Sequence, residues 1–214
     1  RICVGTNTMS FESYLKCRNY SFILQLLASP VFGPVYKLVK SLNISWYELS
    51  RKVTEVIQDK NFKGKLKDLY NEFCKESFNE LFDSEEEAIK FYFKPENYKA
   101  LIKGDIGENL LGKYTAKGLL VYDDILTSIF YVIRNKLNKD DIEKLNPILN
   151  SSEKWLKNLY MIGEIFGERQ DVEEGNKHKL NIDFDFPGWL TESHLPLDKF
   201  RKKSTYELDF DFKK

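Results

Sequence analysis

The segment Arg1-Ile-Cys-Val-Gly-Thr-Asn-Thr-Met-Ser-Phe-Glu-Ser-Tyr-Leu-Lys-Cys-Arg18 decides how the chain is read, because two structural codes follow one another in it. Ile2, Cys3 and Val4 form a short apolar strand that breaks at Gly5, and a polar run from Thr6 to Thr8 follows. Ser10 then has the chemistry of a helix N-cap, because its side-chain oxygen can accept an unpaired N–H of the first turn. Glu12 suits the positive end of the helix dipole. Phe11, Tyr14 or Leu15, Arg18, Phe22 and Leu26 fall near one stripe at helical spacing. Arg18 interrupts that apolar stripe. A guanidinium taken out of water needs a pairing partner. Arg18 therefore either meets an anion from the fold or a ligand, or sits at the rim and reaches water.

Working outward, the helical period persists. Val31, Val35, Leu38, Val39 and Leu42 share a face after the break at Ser29-Pro30. Ser45 and Glu48 form a capping box that opens a helix with Leu49, Val53, Val56 and Ile57 on one side. A further helical pattern runs from Asn61 to Phe82. Ser84 and Glu87 form a second capping box, and the helix it opens is ended by Pro95. Asp105, with Glu108 three residues on, is expected to cap the next helix, and Gly118 to divide it from Tyr122–Leu137. Lys139–Leu145 is expected to be a short helix ended before Pro147, and Ser152–Phe166 a separate one.

The code changes near the end. Gly167 to Lys177 is polar and reads as a linker. Leu180, Ile182, Phe184 and Phe186 then alternate with polar residues, as do Tyr206, Leu208, Phe210 and Phe212. Period two means half-buried strands. Direct pairing would set carboxylates on one face, where like charges oppose each other. Lysines must interleave, a cation must bind, or the strands must pair elsewhere. Asp183, Asp185, Asp209 and Asp211 are the hard oxygen donors such a cation would use, but no calcium-loop order is present.

The bulk composition narrows the function classes. Thirty-three basic and 33 acidic residues cancel, which argues against a general nucleic-acid binder. No apolar run approaches a membrane span, so no membrane partner is expected. The three cysteines, Cys3, Cys17 and Cys74, have no metal-site spacing and fit a reducing, cytoplasmic setting. His178 and His194 read as surface residues, and Cys17 and Cys74 as structural ones. There is no nucleophile elbow and no phosphate loop. No catalytic residue and no metal ligand is assigned.

The run Val4-Gly-Thr-Asn-Thr-Met-Ser-Phe-Glu-Ser-Tyr14, followed by Arg18 and a long apolar helix, resembles the segment after the catalytic barrel in cobalamin-binding radical SAM proteins. The ending Phe184-Asp-Phe-Pro-Gly-Trp-Leu190 is similar to the tail of such proteins. The resemblance implies a parent enzyme of Fe–S oxidoreductase or methyltransferase type, using a 4Fe-4S cluster, S-adenosylmethionine and cobalamin. Its cluster loop, Cys-x-x-x-Cys-x-x-Cys, is not in these residues. The chain opens in a strand without an initiator Met, so it is expected to be a fragment, with the upstream domains of its parent as partner. The resemblance places Thr6, Asn7, Thr8, Met9 and Arg18 nearest the parent's active site. Trp189 is read as capping the core or meeting the parent domain.

The expected architecture is mainly α. Residues 1–9 form a strand and connection, 10–170 a multi-helix domain, and 171–214 a β-containing segment packed on it. The function expected is that of an accessory domain that shapes substrate access without chemistry of its own. The alternative is a free-standing helical protein–protein interaction module.

Overall fold

A computed structural model describes residues 7–82, 84–136, 139–159, 177–192 and 196–209. The fold is mainly helical, with a small two-stranded antiparallel sheet near the C-terminus. The expected strand at Ile2–Val4 lies outside the described residues. The helices are α1 (Phe11–Leu27), α2 (Gly33–Ser41), α3 (Trp46–Gln58), α4 (Lys65–Asn79), α5 (Glu85–Tyr92), α6 (Pro95–Lys103), α7 (Leu110–Leu119), α8 (Tyr122–Lys136) and α9 (Lys139–Leu159). Then come β1 (Lys177–Phe184), the short α10 (Phe186–Thr191) and β2 (Arg201–Asp209).

The capping chemistry sets several starts as expected. The hydroxyls of Ser10, Ser45 and Ser84 accept from the N–H groups of Ser13, Glu48 and Glu87. Helix α4 is capped from elsewhere: Leu66 N–H donates to Asp124 Oδ2 of α8 at 3.3 Å. Gly64, at φ 127°, turns the chain into α4, and a Cβ there would stand 3.3 Å from that same carboxylate.

Three local readings need correction. Asp105 does not cap α7; Asn109 does, accepting from Gly112 N–H at 3.2 Å. Gly104 ends α6 in the left-handed region at φ 79°, and Gly107 at φ 76° keeps the chain turning, which delays the next helix. Pro95 ends α5 but also opens α6, since a proline at the first helical position loses no needed N–H. Pro147 lies inside one continuous α9 rather than between two helices. Leu149, Ser152, Trp155 and Leu156 of α9 are all buried, and that packing carries the helix past the missing hydrogen bond.

Helices α1, α3, α4, α7, α8 and α9 enclose the core. At its centre the Phe22 ring stacks on Phe73 with centroids 4.4 Å apart, and Tyr114 meets both edge-on at 6.1 and 5.4 Å. Where α1 crosses α7, Gly118 provides the clearance. A Cβ there would fall 2.3 Å from Leu26 Cδ1.

The C-terminal segment packs on this core. Leu180, Ile182, Phe184, Phe186, Trp189 and Leu197 are buried, and the Trp155 ring stacks on Phe186 at 4.6 Å. The strand register sets Lys177 opposite Asp209 and Lys179 opposite Glu207, so these positions pair residues of opposite charge rather than like charge. β2 begins at Arg201, earlier than the alternation of side chains suggests. Phe186 belongs to α10 rather than to a strand, because Asp185 caps a helical turn by accepting from Gly188 N–H at 3.0 Å. Phe210 and Phe212, the linker residues 167–176 and helix positions beyond Leu159 lie outside the described residues.

Gly118→Val is expected to lower stability by about 1–3 kcal/mol, because the new methyls overpack Leu26. Urea denaturation monitored by circular dichroism reads this, and an unchanged midpoint would contradict the crossing geometry.

Candidate functional site

The expected site residues begin in the bend before α1. Asn7 and Thr8 are exposed there and Met9 is partly covered, while Thr6 lies outside the described residues. Two turns on, Arg18 is only 16% exposed at its side chain and pairs with the Glu80 carboxylate at the end of α4. Its Nη1 also donates to Tyr14 OH at 3.3 Å, while Nε is buried with no partner among the described residues. The anionic partner demanded by a guanidinium on an apolar stripe therefore comes from the fold itself.

Of the two readings of Trp189, burial favours the core cap: the side chain is 2% exposed and faces the interior. Lys37 of α2 covers it, with Nζ 4.7 Å from the ring centroid. That ammonium also donates to the carbonyls of Trp189 and Glu192.

Arg18 opens onto a cleft of about 380 Å³. Tyr14, Cys17 and Ser21 of α1 line one wall, Glu80 a second, and Glu108 and Asn109 before α7 the third. Glu80 and Glu108 flank the α5–α6 hairpin in sequence, so the cleft lies at the root of that hairpin.

A second polar group lies one turn deeper along α4. Glu76 accepts from Lys113 Nζ at 2.8 Å and from Tyr114 OH at 2.5 Å, and Lys113 also bridges to Glu108 at 2.8 Å. Burial pushes the Glu76 carboxyl up, but the hydrogen bonds from Lys113 and Tyr114 outweigh it and hold the group below its ordinary value. Burial, then the bond to Glu76, pushes the Tyr114 phenol up. The bonds to Glu108 and Glu76 raise Lys113. Each cation here is matched by a carboxylate, so the cleft wall is a balanced polar network.

The other candidates are not drawn together. Asp185 is used as a cap, Asp183 is exposed, Asp209 stands across from Lys177, and Asp211 lies outside the described residues. His178 sits in β1 opposite Leu208, and His194 is outside the described residues, as is Cys3. Cys17 is exposed on the cleft wall, and Cys74 is half-buried beside the core, its thiol pushed up by burial. Neighbouring Tyr70 is raised by burial to about 12, while Gln58 donates to its hydroxyl at 2.8 Å. No single helix among the described residues is long and apolar enough to cross a membrane.

No known protein family, curated protein or solved structure matches the chain.

Sequence reasoning finds Arg18 because the stripe around it is apolar. It misses Glu76, Glu80 and Lys113, since nothing local marks which charges will meet across 37 residues of chain (Glu76 and Lys113) or 62 (Arg18 and Glu80).

The Glu76 carboxyl titrates lower in the folded chain than in the unfolded one. Its contribution to stability is present above the ordinary value of 4.5 and lost as pH falls through the folded-state value. The stability gap between the wild-type chain and Glu76→Gln is therefore expected to be widest near neutral pH and to narrow in acid. Denaturation midpoints across pH 3 to 7 (roughly the carboxylate range) read it, and a constant gap would contradict the assignment.

Proposed function

We propose that this chain is a helical accessory domain of a larger cytoplasmic radical SAM enzyme of the cobalamin-binding, Fe–S oxidoreductase or methyltransferase type. It closes one side of the catalytic barrel and shapes substrate access, with no chemistry of its own. The reading is supported by the resemblance of residues 4–14. The single structural observation that carries it is the continuity between that segment and the cleft. Asn7–Ser10 leads directly into the helix whose Tyr14, Cys17 and Arg18 form the cleft wall. A barrel preceding this segment would meet the protein at that wall, and Asn7, Thr8, Met9 and Arg18 are the residues nearest to it.

The residues present do not fit the implied cofactors as ligands. Cys3, Cys17 and Cys74 are too widely spaced for the cluster loop, and Cys74 is half-buried against the core. Upstream residues would hold the 4Fe-4S cluster, S-adenosylmethionine and cobalamin, and no step is assigned to this chain. Its own part is steric and electrostatic. The Arg18–Glu80 pair and the Glu76–Lys113–Glu108 bridge hold the cleft walls at fixed separation, so that what passes the barrel's mouth meets a defined polar surface.

A second reading, a free-standing helical interaction module, is favoured by one observation. Helices α5 and α6 bury no residue, while Phe93 at the C-cap of α5 and Ile102 on α6 stand 81% and 69% exposed. Exposed apolar side chains grouped in this way mark interaction surfaces.

The deciding experiment is an absorbance spectrum with iron and cobalt analysis of the full-length parent, purified without oxygen. Iron–sulfur and corrinoid signals are the expected result. Absence of both after reconstitution would overturn the accessory-domain reading and leave the interaction module.

A further inference from the structure

Away from the Arg18 cleft, two adjoining hollows of about 360 and 340 Å³ lie between the end of α3 and α8. Val56, Asp59 and Tyr131 belong to both, so the two form one groove. Its shape follows from how α3 ends. Asp59 is the C-cap, and at φ −57° and ψ 136° it takes the chain out of the helix. Asn61 N–H donates to Asp59 Oδ1 at 2.7 Å, and Phe62 N–H to Asp59 O at 3.2 Å. That turn sets Phe62 in the wall of the smaller hollow, with Val56 and Tyr131 as the other large side chains there. Val56 and Phe62 are half-buried against the core and Tyr131 is 56% exposed. The walls are therefore largely apolar, and two of them are aromatic.

The charges around the groove are committed, with one exception. Lys52 pairs with Glu55, and Lys136 with Glu48. Lys157, which donates to the Thr127 hydroxyl on the wall, pairs with Glu153. Lys67 donates to the carbonyls of Ile57 and Asp59 at 2.6 and 3.4 Å, so its ammonium serves the negative end of the α3 dipole rather than a side chain. Lys60 and Lys63 line neither hollow. The Asp59 carboxylate is thus the one charged group of the lining with no ion-pair partner among the described residues.

This combination selects a ligand class. An anion would meet the Asp59 carboxylate with no free cation in the lining. A metal ion needs several oxygen ligands, and Asp59 is the single free carboxylate among apolar walls. A cation that carries its own methyl groups satisfies both features. Its charge faces Asp59, and its methyls lie against Val56 and the rings of Phe62 and Tyr131, whose π faces attract a cation. Hollows of this size, with apolar walls and few polar groups, suit small organic ligands. We propose that the groove at the end of α3 binds a small alkylated ammonium ion, with Asp59 as its counter-ion and Phe62 and Tyr131 as its aromatic walls. The proposal goes beyond the accessory-domain reading and does not rest on it: binding of a probe to this chain is read without iron or cobalt.

The test is an NMR titration of the 214-residue chain at constant chloride with three probes of one shape: choline, its uncharged carbon isostere dimethylbutanol, and the tert-butylacetate anion. Choline is expected to shift the amides around Asp59, Phe62 and Tyr131 saturably, and to bind at least about fivefold more tightly than dimethylbutanol, the effect of one charge pair near a protein surface. Asp59→Asn removes the charge but keeps an oxygen that accepts from Asn61 N–H, so the turn survives. It should bring choline down to the level of dimethylbutanol. Tyr131→Leu keeps an apolar side chain and removes the ring, and should weaken choline about two- to fivefold while sparing dimethylbutanol. Circular dichroism checks that both variants stay folded. Choline shifts that do not saturate at these residues would overturn the proposal. So would dimethylbutanol or tert-butylacetate binding as tightly as choline, or choline affinity unchanged in Asp59→Asn.

Discussion

The structure depends on the stacking of Phe22 against Phe73 with Tyr114 closing on both edges. Phe22 and Phe73 are fully buried and Tyr114 nearly so, which locks α1, α4 and α7 together at one point. Aromatic pairs of this geometry add about 0.5–1.5 kcal/mol beyond the area they bury. A buried phenol also needs a hydrogen-bond partner. Tyr114 finds it in Glu76, three residues along α4 from Phe73. Glu76 in turn recruits Lys113, and Lys113 recruits Glu108. The polar wall of the cleft thus follows from the aromatic packing beneath it.

Arg18 follows from the same constraint. Stepping back one turn on α1 from Phe22 reaches Arg18. Stepping forward one turn on α4 from Glu76 reaches Glu80. The two helices run in opposite senses past the aromatic cluster, as the Phe11–Phe78 contact at 6.0 Å also requires, so these two positions face each other and the ion pair forms. The hairpin lies outside this cooperative unit. It continues from the end of α4 and returns at the start of α7, and none of its own residues is buried. Its order rests on local contacts at Phe82, while its outer face stays exposed.

The sequence shows its helices best where a short-range rule acts alone. Ser10, Ser45 and Ser84 act within three residues, so each start can be read directly. Pro95 and Pro147 are ambiguous locally. One opens a helix and the other is carried through the middle of one, and only the burial of Leu149, Trp155 and Leu156 decides the second case. The glycines at 104 and 107 move the start of α7 to Asn109 because both adopt left-handed angles that the letters alone do not reveal. For the site, the oddity of Arg18 on an apolar stripe is visible beforehand, as is its need for an anion. That the anion is Glu80 is a property of how α1 and α4 cross. The sequence leaves Trp189 between capping the core and meeting another domain; the structure buries it, with Lys37 from α2 over its ring.

The central claim is that the α1–α4–α7 junction is one cooperative unit and that the α5–α6 hairpin stands outside it. Native-state hydrogen exchange tests this most directly. The account expects amides of Phe22–Leu27, Leu69–Ser77 and Tyr114–Leu119 to exchange together, with the greatest protection, and those of 85–103 to exchange far sooner. A hairpin protected as well as α4, or an α1 that opens independently of α4 and α7, would contradict it.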